Sequence, residues 1–176
     1  MRMQVAQTSG SECFAHYGYR RDVLDLALHY GYNDRHTPFA HSAPLQIHVG
    51  GIGIISVDHQ GQRAPVHRHD PPRVQISSDG IQLSHLCCNL KHPQRSTTML
   101  RLALQGSLQK RGHARDSASK LAERGLSAVA EENLKNLSKL QQAITEEGHP
   151  GAEILVGATA RQATIIRRVL DTLGQR

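Results

Sequence analysis

The feature that most limits what this chain can fold into is a change in the spacing of its apolar residues. Up to about residue 104 they tend to recur at every second position, as in Leu45, Ile47 and Val49 or Val74 and Ile76. From about residue 117 they fall at three- to five-residue intervals through Leu121, Leu126, Val129, Leu134, Leu137, Leu140 and Ile144. A period of two buries one face of a strand, whereas a period near 3.6 buries one stripe of a helix. The chain therefore reads as α+β, with a His-rich antiparallel β layer over about residues 45–104 packed against a helical C-terminal part over about residues 117–173. At 176 residues it is long enough for a single domain with one core, divisible into a β-rich part, 1–106, and a helical part, 107–176. Aromatic residues make up only 3% of the chain and Trp is absent, so aliphatic side chains must build that core.

Local signals refine the outline. Asp22 opens a short helix whose face carries Val23, Leu26, Ala27 and Tyr30, and Gly31 stops it. Gly50 and Gly51 shift the phase of the alternating run from Leu45 to Val57, which predicts a bulge or sharp bend in an extended segment. Asp79-Gly80 between alternating runs predicts a hairpin with strands at 73–78 and 81–87. Taken as a two-residue turn, it sets Ser78 opposite Ile81, Ile76 opposite Leu83 and Val74 opposite His85. Residues 91–98 read as a loop, and Leu100, Leu102 and Leu104 as a further strand. Gly125 is a candidate divider of the long helix, and Gly148-His149-Pro150-Gly151 a firm break. Beyond it lie a short strand at 153–156 and a helix from Thr159, which caps its start.

No apolar run approaches the roughly 18 residues of a membrane span, and the first residues lack the apolar stretch of a signal peptide. Three cysteines, Cys13, Cys87 and Cys88, are too few for a disulfide framework. A soluble, cytoplasmic protein without a membrane partner is expected.

The net charge of +6 is concentrated in one segment. Lys91, Arg95, Arg101, Lys110, Arg111, Arg115, Lys120 and Arg124 face only two acids in the same stretch, Asp116 and Glu123. Such a field attracts polyanions through counterion release, which points to nucleic acid contacted by Arg101, Lys110, Arg111, Arg115 and Lys120. The scarcity of aromatics argues for phosphate contacts over base stacking. A protein-interaction module or effector using the long helix is another reading, and the amphipathic helices also suit a homo-oligomer.

A third reading is a zinc-dependent hydrolase or a structural zinc protein. His67 and His69 sit two residues apart, so an extended backbone points both imidazoles to one side. The expected hairpin brings Cys87, Cys88 and His92 to the same open end, and imidazole with thiolate suits zinc, although vicinal cysteines on a regular strand point opposite ways. The cofactor is thus expected to be zinc or none. Gly61, His67, His69 and Gly80 resemble the first motif of cupins, whose two histidines and a carboxylate bind metal inside a β-barrel; this chain has Arg73 in place of the carboxylate. The same histidines with Ser77 and Asp79 resemble the JAMM metalloprotease signature, at a Ser-to-Asp spacing one residue shorter. That resemblance implies a metal-dependent hydrolase with Glu12 as general base. Gln7 and Cys13 resemble the nucleophile region of papain-like proteases, which implies Cys13 as nucleophile and His48 as its base.

Overall fold

The two periods separate into layers as the sequence indicates, in a computed structural model that describes residues 22–33, 36–57, 72–148 and 150–174. The chain is α+β, running α1 (Val23–Tyr30), β1 (Phe39–His41), β2 (Leu45–Val49), β3 (Gly53–Val57), β4 (Val74–Ile76), β5 (Gly80–Leu83), β6 (Cys87–Asn89), α2 (Pro93–Lys110), α3 (Arg115–Glu147) and α4 (Ala152–Gly174). Four strands form one sheet in the order β2-β3-β5-β4, and β1 pairs with β6 in a separate two-stranded ladder. The four-stranded sheet is antiparallel except at β3 and β5, which run parallel.

Alternation decides which face of the sheet is buried. Val49, Ile55, Val57, Ile81 and Leu83 point into the core, while Gln46, His48, Ile54 and Gln75 are exposed on the other side. Against the inner face lie α2 and α3, whose Leu104, Leu108, Ala118, Ala122 and Leu126 complete one core. Gly125 does not divide α3, which is continuous over 33 residues. A Cβ at that position would lie 2.9 Å from Ile55 Cδ1 and 3.1 Å from Ile52 Cδ1. Glycine therefore serves close packing of helix on sheet.

Several local expectations change. The bend expected at Gly50-Gly51 is a complete reversal, with Leu45 paired to Val57 and Val49 to Gly53. Gly51 and Gly53, at φ +83° and +94°, supply the left-handed backbone that turning in so few residues requires. The second hairpin forms two residues out of the expected register, with Ile76 opposite Ile81 and Val74 opposite Leu83. Its turn has moved back one residue to Ser78-Asp79, with the N–H of Ser77 donating to the Gly80 carbonyl at 3.0 Å, because Gly80 belongs to the ladder, opposite Ile54 of β3. An even shift preserves which side chains face the core.

The strand expected at Leu100–Leu104, preceded by a loop, is part of α2. Thr97, Leu100, Leu104 and Leu108 are buried at four-residue spacing or close to it, whereas Leu102 is 56% exposed. Alternate leucines fit both periods over so short a run, and Pro93 opens the helix where its missing N–H costs nothing. Residues 153–156, expected as a strand, are likewise helical, inside α4. None of the described helices is long and apolar enough to cross a membrane.

Candidate functional site

The basic segment folds into two separate regions. α2 has 18 residues and so spans about 27 Å, which puts Lys91 and Arg95 at one end and Lys110 at the other. At its middle, Arg101 Nη1 donates to Glu123 Oε1 at 3.1 Å, an ion pair joining α2 to α3. At the far end the chain turns from α2 into α3 through residues 111–114. Here Arg111 reaches across to the sheet and donates to the carbonyl of Ile52 and, at 3.2 Å, to that of Ser78. Arg124 donates to the carbonyl of Gly50. Two guanidinium groups thus clamp the corner onto the sheet's turns. Lys110, Arg115 and Lys120 remain exposed on that corner beside a single exposed acid of the same segment, Asp116.

The expected zinc ligands do not all fall within the described residues: His67 and His69 lie outside them. Cys87 and Cys88 occupy adjacent positions of β6, and as neighbours on a strand they face opposite sides. Cys88 is buried in the core, where desolvation, reinforced by the charge of Cys87, pushes its thiol up. His92 is exposed at the residue before α2. Among the described residues no three His, Cys, Asp or Glu side chains come together as a metal would need. Cys13 also lies outside the described residues, and His48 is exposed on β2.

A cluster that sequence spacing does not suggest forms where β1 pairs with β6. The register sets His41 directly opposite Cys87, whose thiol donates to the carbonyl of Cys88 at 3.9 Å. On its other side the ring meets the residue preceding α1, with His41 Nδ1 at 3.4 Å from Asp22 Oδ2. The same carboxylate oxygen accepts the backbone N–H of His41 at 2.9 Å. From α4, Gln162 Nε2 donates to the His41 carbonyl at 2.8 Å and fixes the strand beneath the ring. The Asp22 side chain is 6% exposed and that of His41 19%, so the ring alone opens toward solvent on this side of the pair. The strand pairing joins positions 41 and 87, and the Asp22 carboxylate at the start of α1 joins them through His41; in the sequence Asp22 reads simply as the start of a helix.

The surroundings decide the charge on the ring. Burial opposes protonation, but hydrogen bonds to Asp22 and Cys87 and the charges of both partners outweigh it, holding the imidazolium up to about 10. A histidine whose folded pKa is raised stabilises the fold fully below its unfolded pKa of about 6.5, and that contribution is lost as pH rises toward about 10. Stability measured by urea denaturation is expected to decline across this window in the native protein. In His41→Gln the decline should flatten; an unchanged profile would show that the ring is not held charged.

Comparison with protein-family models, curated proteins and solved structures finds no match to this chain.

Proposed function

We propose that this protein binds nucleic acid through phosphate contacts made by the corner between α2 and α3. The observation that carries the reading is the exposure of Lys110, Arg115 and Lys120 together on one corner. Glu123 is engaged by Arg101, which leaves Asp116 in the segment and Asp79, beside the Ser78 carbonyl held by Arg111, as the exposed acids near the corner. Arg111 and Arg124 stiffen the corner through the sheet carbonyls and add their own charge to its field. A stiff basic surface loses little side-chain and backbone freedom when it meets a polyanion.

The test is fluorescence anisotropy with a labelled duplex. Three phosphate contacts imply a slope near −2.7 in a plot of log K against log salt, or binding about 40-fold weaker at about 200 mM than at about 50 mM salt. Reversing Lys110, Arg115 and Lys120 to glutamate should abolish measurable binding without disturbing the fold, since all three side chains are exposed. Absence of binding at low salt, or affinity indifferent to salt, would remove the proposal.

A further inference from the structure

We propose that Asp22, His41 and Cys87 form a nucleophilic thiol centre that accepts acyl groups from thioesters or activated esters. A strand pairing places the thiol and the imidazole side by side, because directly opposite residues of an antiparallel ladder project to the same face. The same ring has its Nδ1 at 3.4 Å from the Asp22 carboxylate. Thiol, imidazole and carboxylate in this order activate a nucleophile: the imidazole holds the proton that the thiol gives up, and the acid fixes and stabilises the charged ring. Cys87 is half-buried, so a reagent reaches it, whereas its neighbour Cys88 is sealed in the core. The centre is separate from the basic corner and stands whether or not that corner binds nucleic acid.

The chemistry closes in two steps. In the first, the Cys87 thiolate attacks the acyl carbon, a C–S bond forms to Cys87, and the bond to the leaving group breaks. The departing thiolate or alkoxide takes the proton held by His41. In the second, a water molecule or an amine gives its proton to His41 as it attacks the acyl-cysteine. The C–S bond then breaks, and the thiolate and imidazolium are restored. The character of the ring also selects the substrate. An imidazolium held this firmly in its protonated form is a weak acid, so it suits leaving groups that depart with little proton assistance and not the amine of a peptide bond.

The experiment uses the full chain carrying Cys13→Ser and Cys88→Ala, which leaves Cys87 as its single thiol. Treated with p-nitrophenyl acetate at neutral pH, it should release p-nitrophenolate in a burst and carry an acetyl group on Cys87, located by peptide mass spectrometry. His41→Ala should slow this acylation by at least about 100-fold. Asp22→Asn, a positioning change, should slow it less and should also shift the pH profile of acylation, which a purely structural role would not do. If a variant fails to fold, the unmodified ring and carboxylate still provide a test. Acetylation of Cys87 by p-nitrophenyl acetate must be present in the otherwise native protein and must vanish in Cys87→Ser. Absence of that signal, or acetylation of Cys87 no faster than that of free cysteine, overturns the proposal.

Discussion

Replacing Gly80 by alanine is expected to destabilise the protein by on the order of 4 kcal/mol or more, enough to unfold a small domain of ordinary stability. Gly80 stands opposite Ile54 in the parallel pairing of β3 with β5, and its backbone accepts the N–H of Ser77 on one side. A methyl group there would run into the carbonyl of Ile54, which is backbone and cannot rotate aside. The strands would have to separate, breaking the ladder that joins the β2–β3 hairpin to the β4–β5 hairpin. Gly112→Ala provides the contrast. That glycine has φ +92° in the turn between α2 and α3, with nothing within 4 Å of an added Cβ. It should cost only the strain of a left-handed backbone, roughly 1 kcal/mol. Urea denaturation midpoints would compare the two, and a Gly80→Ala midpoint close to that of Gly112→Ala would contradict the close approach of β3 and β5.

Asn133→Leu is the second large effect, at roughly 2–3 kcal/mol. Asn133 is 3% exposed on α3, within the apolar layer. Its Nδ2 donates to Ser42 Oγ at 2.8 Å and to the carbonyl of Val129 at 2.9 Å, and its Oδ1 accepts the N–H of Ala43 at 3.0 Å. One amide thus ties the segment between β1 and β2 to a helix some 90 residues further along the chain. Leucine has a similar volume, so the loss would come from the polar groups left behind and not from a void. Ser42, buried at 1% exposure, would keep its own donation to the Ala43 carbonyl and lose the Asn133 donor. Equal stability of the Leu variant and the native protein would mean that this network contributes nothing net.

Positions whose role is set by neighbours in sequence were legible before the fold was known. The helix after Asp22, the extended run from Leu45 to Val57, the hairpin near Asp79-Gly80 and the long amphipathic helix all follow from local period and turn residues. What local pattern left undecided is instructive. Leu100, Leu102 and Leu104 satisfy two periods at once, and only the burial of Leu108 one turn later separates helix from strand. Gly80 carries a strong turn signal, yet it is required by a strand from another hairpin, and that demand moves the register by two. The charged corner was only partly visible. The excess of cations is plain in the sequence, but the diversion of Arg101 to Glu123, and of Arg111 and Arg124 to sheet carbonyls, depends on tertiary contacts. Asp22, His41 and Cys87 share no spacing rule at all, since they are assembled by the pairing of β1 with β6 and by the contacts of the Asp22 carboxylate with His41.

That pairing also orders events during synthesis. β1 finds its only described strand partner more than 45 residues later, and the strand under His41 is held by Gln162, some 120 residues further on. Until α4 has been made, the carbonyl of His41 lacks its donor and the two-stranded ladder has no helix across it from that side. A two-stranded ladder of three residues on each side is too small to persist alone in water. The imidazole and the thiol are therefore brought together late, by the last helix of the fold. A chain released from the ribosome early would carry His41 and Cys87 apart.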